Sequence, residues 1–138
     1  CGKKKWEELL AERVCEPLEL KGVTFTTTAI PKGADRALGH RVGKTGRVER
    51  VPTYEMTEPN PAGSVNATAR DLANWLTFHV CDGVAPSGKR IVSDKPLLET
   101  RVPHTLLRME GATKALFPET VQASHALGWV VSDYRGLK

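Results

Sequence analysis

The sequence predicts a mainly α chain with irregular loops, one small β-hairpin and a C-terminal strand, and three observations carry that expectation. Two stretches, "KKWEELLAERVCEPLEL" and "NATARDLANWLTFHVCDG", repeat apolar residues at intervals of three and four, the spacing that lines one helix face. Two short extended runs flank a turn with two glycines in "RALGHRVGKTGRVERVP". Near the end, the run Trp129 to Val131 reads as a strand with no obvious partner inside the chain.

The first helix places Trp6, Leu9, Leu10, Val14 and Leu18 on one face, and Pro17 ends it because proline lacks the N–H that a helix needs. "GVTFTTTAIPKGADRA" follows as an irregular connection with a short extended piece at Val23–Thr27. In the hairpin, Gly43 and Gly46 supply the turn conformation that other residues adopt only with strain. Pro52, Pro59 and Pro61 hold the next stretch open as a loop. The strongest helix runs between Asn66 and Asp82: Asn66 or Thr68 caps it, Asp71 lies in its first turn, and Gly83 stops it. Its residues Leu72, Trp75, Leu76, His79 and Val80 are expected to face a core. Ser93 caps a short helix, "DKPLLETRV", with Pro96 near its first turn. "HTLLRMEGATKALFPETVQASH" is poorly periodic and reads as loop, with one helical turn at Leu106–Met109.

Bulk properties bound the function. The 138 residues suit one compact domain, 40% hydrophobic and 26% charged, values ordinary for a globular chain. No apolar run approaches the roughly 18 residues that span a bilayer. The start, "CGKKKWEELL", carries no signal-peptide pattern, and a chain beginning with cysteine reads as a processed piece of something longer. A net charge of +4 raises nucleic-acid binding, but the bases alternate with acids and form no sustained stripe. Three Trp, two Tyr and three Phe are too few and too scattered for base stacking, so no nucleic-acid partner is expected. Cys1, Cys15 and Cys81 have neither disulfide nor zinc spacing, and Cys15 and Cys81 read as buried free thiols. His40, His79, His104 and His125 are scattered, so neither a metal nor a cofactor is expected.

Three stretches together resemble the serine β-lactamase-related family of class C β-lactamases, D,D-peptidases and esterases. "KKWEELLAERVCEPLELKGVTF" is similar to its W-E-E-L-x-x-E-R-I-F-E-P-L-G-M helix, and "NPAGSVNATARDLANWLTF" to its P-A-G-G-L-x-S-T-A-x-D-L-A-x-W-L segment. "ALGWVVSDYRG" resembles the G-L-G-W stretch that precedes the family's Lys/His-x-Gly strand. The resemblance covers nearly the whole chain. It implies a single partial domain over 1–138, the helical middle segment of a larger β-lactamase/transpeptidase-like domain that starts after the family's Ser-x-x-Lys and Tyr-x-Asn elements and stops before its Lys/His-x-Gly strand.

The residues agree that the chemistry is missing. A serine nucleophile needs a base within hydrogen-bond reach, and Ser-x-x-Lys on a helix sets the two one turn apart. Ser64, Ser87, Ser93, Ser124 and Ser132 all lack a lysine three residues on. Neither tyrosine begins a Tyr-x-Asn, and no Gly-x-Ser-x-Gly occurs. Lys44-Thr45-Gly46 spells a catalytic tripeptide, but it precedes Leu127-Gly128-Trp129 and sits at a hairpin tip, so it reads as a turn. No catalytic residue is therefore expected in this chain.

What remains is a substrate-binding expectation. The resemblance puts "NPAGS" at the rim of the cleft, so that Asn60, Ala62, Gly63 and Ser64 would line the acyl pocket of the intact protein. Against this, Pro61 and Gly63 can simply shape the approach to the following helix, and Ser64 stands where relatives often have a second glycine. The implied function is one wall of a serine hydrolase cleft, inactive alone, whose parent hydrolyses a β-lactam, a D-Ala peptide or an ester through an acyl-enzyme. Its partners would be the remainder of the parent domain, a small-molecule substrate in the intact protein only, and a second copy through the orphaned strand. The compartment of the parent, periplasmic or cytoplasmic, stays open. A non-catalytic helical interaction module is the alternative.

Overall fold

A computed structural model describes residues 3–137, so Cys1 lies outside the described residues. The chain divides into two compact units, Cys1–Thr77 and Phe78–Lys138.

In the first unit, α1 (Trp6–Leu10) runs directly into a π-helical segment (Ala11–Cys15). The expected single helix thus widens by one residue per turn, with Glu16 donating to the Ala11 carbonyl at 2.9 Å. Pro17 follows at once and has no N–H to give the regular ladder. Leu18, only 1% exposed, anchors the segment's end, and Asn74 Nδ2 donates to its carbonyl at 3.3 Å. Trp6 meets Phe25 edge to face at 5.5 Å, fixing α1 against the Thr-rich connection. The extended piece expected there is a single antiparallel bridge between Thr24 and Asn66.

β1 (His40–Val42) and β2 (Val48–Arg50) form the hairpin the two glycines predict, with Val42 opposite Val48. Gly46 adopts φ +77°, and Gly43 receives its N–H at 3.0 Å across the turn. The Lys44-Thr45-Gly46 tripeptide is the tip of that turn, as expected.

α2 (Ala69–Val80) begins in the first unit and ends in the second. Thr68, not Asn66, caps it: its hydroxyl accepts the Asp71 N–H at 3.1 Å, while Asn66 is taken up in the bridge to Thr24. The face that is buried carries Asp71, Phe78 and His79. Leu72, Leu76 and Val80, expected to face a core, are exposed instead. Gly83 closes the helix at φ +87°, donating to the Phe78 carbonyl at 2.9 Å.

The second unit holds α3 (Asp94–Glu99), β3 (Thr105–Leu107), α4 (Gly111–Leu116), β4 (Ala123–His125) and β5 (Val130–Ser132). The three strands form one antiparallel sheet in the order β3-β4-β5. This corrects two expectations. Residues 104–125 are not loop with a helical turn at Leu106–Met109, because Leu106 pairs with Ser124 in a strand and α4 lies between. Nor is the terminal strand without a partner: Val131 pairs with Ser124, and β5 forms one edge of the sheet. His79 packs edge to face against Trp129 at 4.9 Å and Phe78 at 5.3 Å. Burial first, and then the positive charge of Arg101, push its imidazole pKa below the usual value. Cys15 is buried, as expected, whereas Cys81 is exposed. Among the described residues no helix is long and apolar enough to cross a membrane.

Candidate functional site

The loop at residues 60–64 closes on itself. Asn60 Oδ1 accepts the Ala62 N–H at 2.8 Å, and the Asn60 carbonyl accepts from Gly63 at 3.2 Å and Ser64 at 3.0 Å. Ser64 Oγ in turn accepts the Asn60 N–H at 2.8 Å. An asparagine with two short-range acceptors, followed by a proline that fixes φ, favours this compact turn over an extended one.

The four predicted residues are therefore together in space but are not equivalent. Ser64, 2% exposed, is turned inward and holds the loop shut. Ala62 and Gly63 are on the exterior, and a Cβ added at Gly63 would meet nothing within 4 Å. Every backbone N–H from Asn60 to Ser64 is engaged within the loop, Pro61 having none. The loop thus has no N–H to present to an oxyanion. What it offers outward is the apolar surface of Pro61, Ala62 and Gly63.

Behind this loop stands a clasp whose full extent the sequence does not reveal. The Asp71 carboxylate accepts the Thr68 hydroxyl at 2.7 Å, the Thr68 N–H at 2.9 Å and the Gly22 N–H at 3.3 Å. Burial resists ionisation here, yet the hydrogen bonds from Thr68, Gly22 and Lys21 outweigh it and hold the pKa below the usual carboxylate range. Asp71 in the first helical turn was legible as a cap residue, but its reach to Gly22 was not. The clasp ties Gly22, seven residues past the π-helical segment, to the start of α2.

Ser124 is buried within the sheet, and Ser87 Oγ accepts the Lys89 N–H at 3.4 Å in a surface turn. Both serines serve local structure.

The fold places the chain in a class before any single relative does. Over 91% of its length it superposes, with a TM-score of 0.63 and 21% identity, on the structure of the octameric penicillin-binding protein homologue from Pyrococcus abyssi, covering 25% of that chain. At that identity the likeness speaks of fold alone. The Beta-lactamase family model matches residues 2–137, and the chain belongs to that family. It is also similar to "Penicillin-binding protein 4" of Amycolatopsis lactamdurans, 33% identical over 94 residues, which is 64% of this chain and 23% of that protein. "Beta-lactamase-like protein 1" of Dictyostelium discoideum is 28% identical over 80 residues, 58% of this chain and 13% of that protein. The chain spans a quarter or less of the length of each of these proteins.

Proposed function

We propose that this chain is the helical middle part of a larger β-lactamase-like serine hydrolase domain, forming one wall of its cleft and unable to acylate by itself. The observation that carries this reading is a mismatch. The family model matches residues 2–137, yet no serine in those residues has a lysine three positions on. A nucleophile without its base is not activated, so the acylating serine would come from another part of the parent.

Packing supports the same reading. Leu72 and Leu76 lie one turn apart on α2 and are half exposed, and Leu72 lines a mostly apolar hollow of about 190 Å³ with Leu10, Val14, Val23 and Trp75. An apolar helix face beside an apolar hollow suits contact with further protein. The parent's substrate would be a β-lactam, a D-Ala peptide or an ester. The rim loop's contact with it would be apolar, through Ala62 and Gly63, since the loop N–H groups are already bonded to one another.

Intact-protein mass spectrometry after incubation with excess penicillin and, separately, with a fluorophosphonate tests this. The expected result is no adduct on this chain. A stoichiometric mass gain would overturn the reading and locate a competent nucleophile among the serines.

A further inference from the structure

Over the whole chain the charges look dispersed, but one contiguous segment holds the excess. Residues 32–50 carry six of the twenty lysines and arginines and two of the sixteen acids, so the remaining residues balance at fourteen each. All of the protein's net charge of +4 therefore resides on one exposed segment, the β1–β2 hairpin and its approach. One acid, Glu49, is engaged by Arg41 at 3.5 Å on one face of the hairpin. Among the described residues Lys44, Arg47 and Arg50 have no ion-pair partner.

The opposite face is apolar at its centre. Strand alternation puts His40, Val42, Val48 and Arg50 on it, and Val42 and Val48, directly paired, are 71% and 70% exposed. A bare valine pair between cations at a turn tip is unusual for a solvated hairpin, where a lone β-pair gains little from exposed apolar side chains.

We infer that this hairpin docks on an anionic lipid bilayer surface, with Val42 and Val48 entering the headgroup boundary while Arg50, on the same face, and Lys44, at the turn, contact lipid phosphates and carboxylates. Apolar side chains flanked by cations match the interfacial mode of membrane binding. Nucleic acid fits less well: the segment 26–53 contains no Phe, Tyr or Trp on which a base could stack. The contact is peripheral and needs no spanning helix.

Cosedimentation of the chain with vesicles of phosphatidylcholine alone, and of phosphatidylcholine with an equal part of phosphatidylserine, tests it. Binding is expected to the anionic vesicles only, and to vanish at about 1 M salt, where the screening length falls to about 3 Å. Lys44→Gln/Arg50→Gln should weaken partitioning about 25-fold, at roughly fivefold per cation. Val42→Ser/Val48→Ser should weaken it about tenfold while leaving the salt dependence intact. These side chains are fully solvated, so unchanged circular dichroism is expected for both variants. Absence of binding to anionic vesicles overturns the inference, as does binding indifferent to the Lys44/Arg50 change. Loss with the charge variant but none with the serine variant also overturns it, because the binding is then charge adsorption alone, with no entry of Val42 and Val48 into the headgroup boundary.

Discussion

Replacing Asp71 with alanine removes the acceptor shared by three donors, and the cost can be worked from their geometry. Two contacts are short, at 2.7 and 2.9 Å from Thr68, and the third, from Gly22, is long at 3.3 Å. A hydrogen bond to a charged group contributes about 1.5–3 kcal/mol where water is excluded. Thr68 and Gly22 are both solvent-exposed, so their freed donors rehydrate and the lower end applies. Asp71→Ala should thus lose about 2–3 kcal/mol, of which about 1 kcal/mol is the helix cap itself. In urea, with a slope of about 1–3 kcal/mol per molar, the midpoint should fall by about 1–2 M. The sign with pH follows from the carboxylate's depressed pKa. Its contribution is fully present above about pH 3.9, the ordinary unfolded value, and is lost as pH falls through the lower folded value. Asp71→Asn should therefore flatten the stability of the protein below about pH 4. A loss under about 0.5 kcal/mol for Asp71→Ala, no more than an ordinary surface change, would refute the clasp.

The remaining predictions probe the packing around this frame. Gly22→Ala places a methyl 2.5 Å from Thr68 Cγ2 and 2.7 Å from Asp71 Oδ2, so it should destabilise by about 1–3 kcal/mol, read as a urea midpoint shift. Gly83→Ala should cost more than Gly46→Ala, although both positions have positive φ, because only at Gly83 does the new Cβ meet a carbonyl, that of Val92 at 2.4 Å. The backbone penalty alone is about 1 kcal/mol, and thermal melts of the two variants separate it from the clash. Leu18→Ala should lose about 2–5 kcal/mol, since a side chain 1% exposed leaves a cavity on truncation. His79, whose pKa is lowered by burial and then by Arg101, contributes stability above about pH 6.5 that is lost as pH falls toward its folded value. Denaturation midpoints at pH 7.5 and 5.5 should therefore differ less in His79→Gln than in the parent chain, and an equal difference would assign the pH dependence elsewhere.

Local chemistry was legible wherever it was self-sufficient. Two glycines around a turn determined the hairpin, and Asn66 or Thr68 with Asp71 in the first turn marked the start of α2, because both signals act within one turn of the backbone. The same locality identified Lys44-Thr45-Gly46 as a turn and exposed the lack of a base three residues after any serine. The loop at residues 60–64 was legible as a unit. The roles within it were not, since which oxygen takes which N–H depends on the closed geometry.

Tertiary structure decided what needs distant partners. β3 and β4 are three-residue strands whose pairing, Leu106 with Ser124, spans eighteen positions, and a run that short has no periodicity to read. β5 looked partnerless for the same reason: its partner was hidden in a segment without pattern. The 3.6-residue period correctly grouped Leu72 with Leu76, but a period reports only that residues share a face. Whether that face meets protein or water is settled by the elements that pack there, and here Leu72 and Leu76 remain exposed. The charge balance behaves likewise. The excess over residues 32–50 can be counted in the sequence, but only the paired hairpin sets Val42 beside Val48 on one exposed face, because a strand sends alternate side chains to opposite faces.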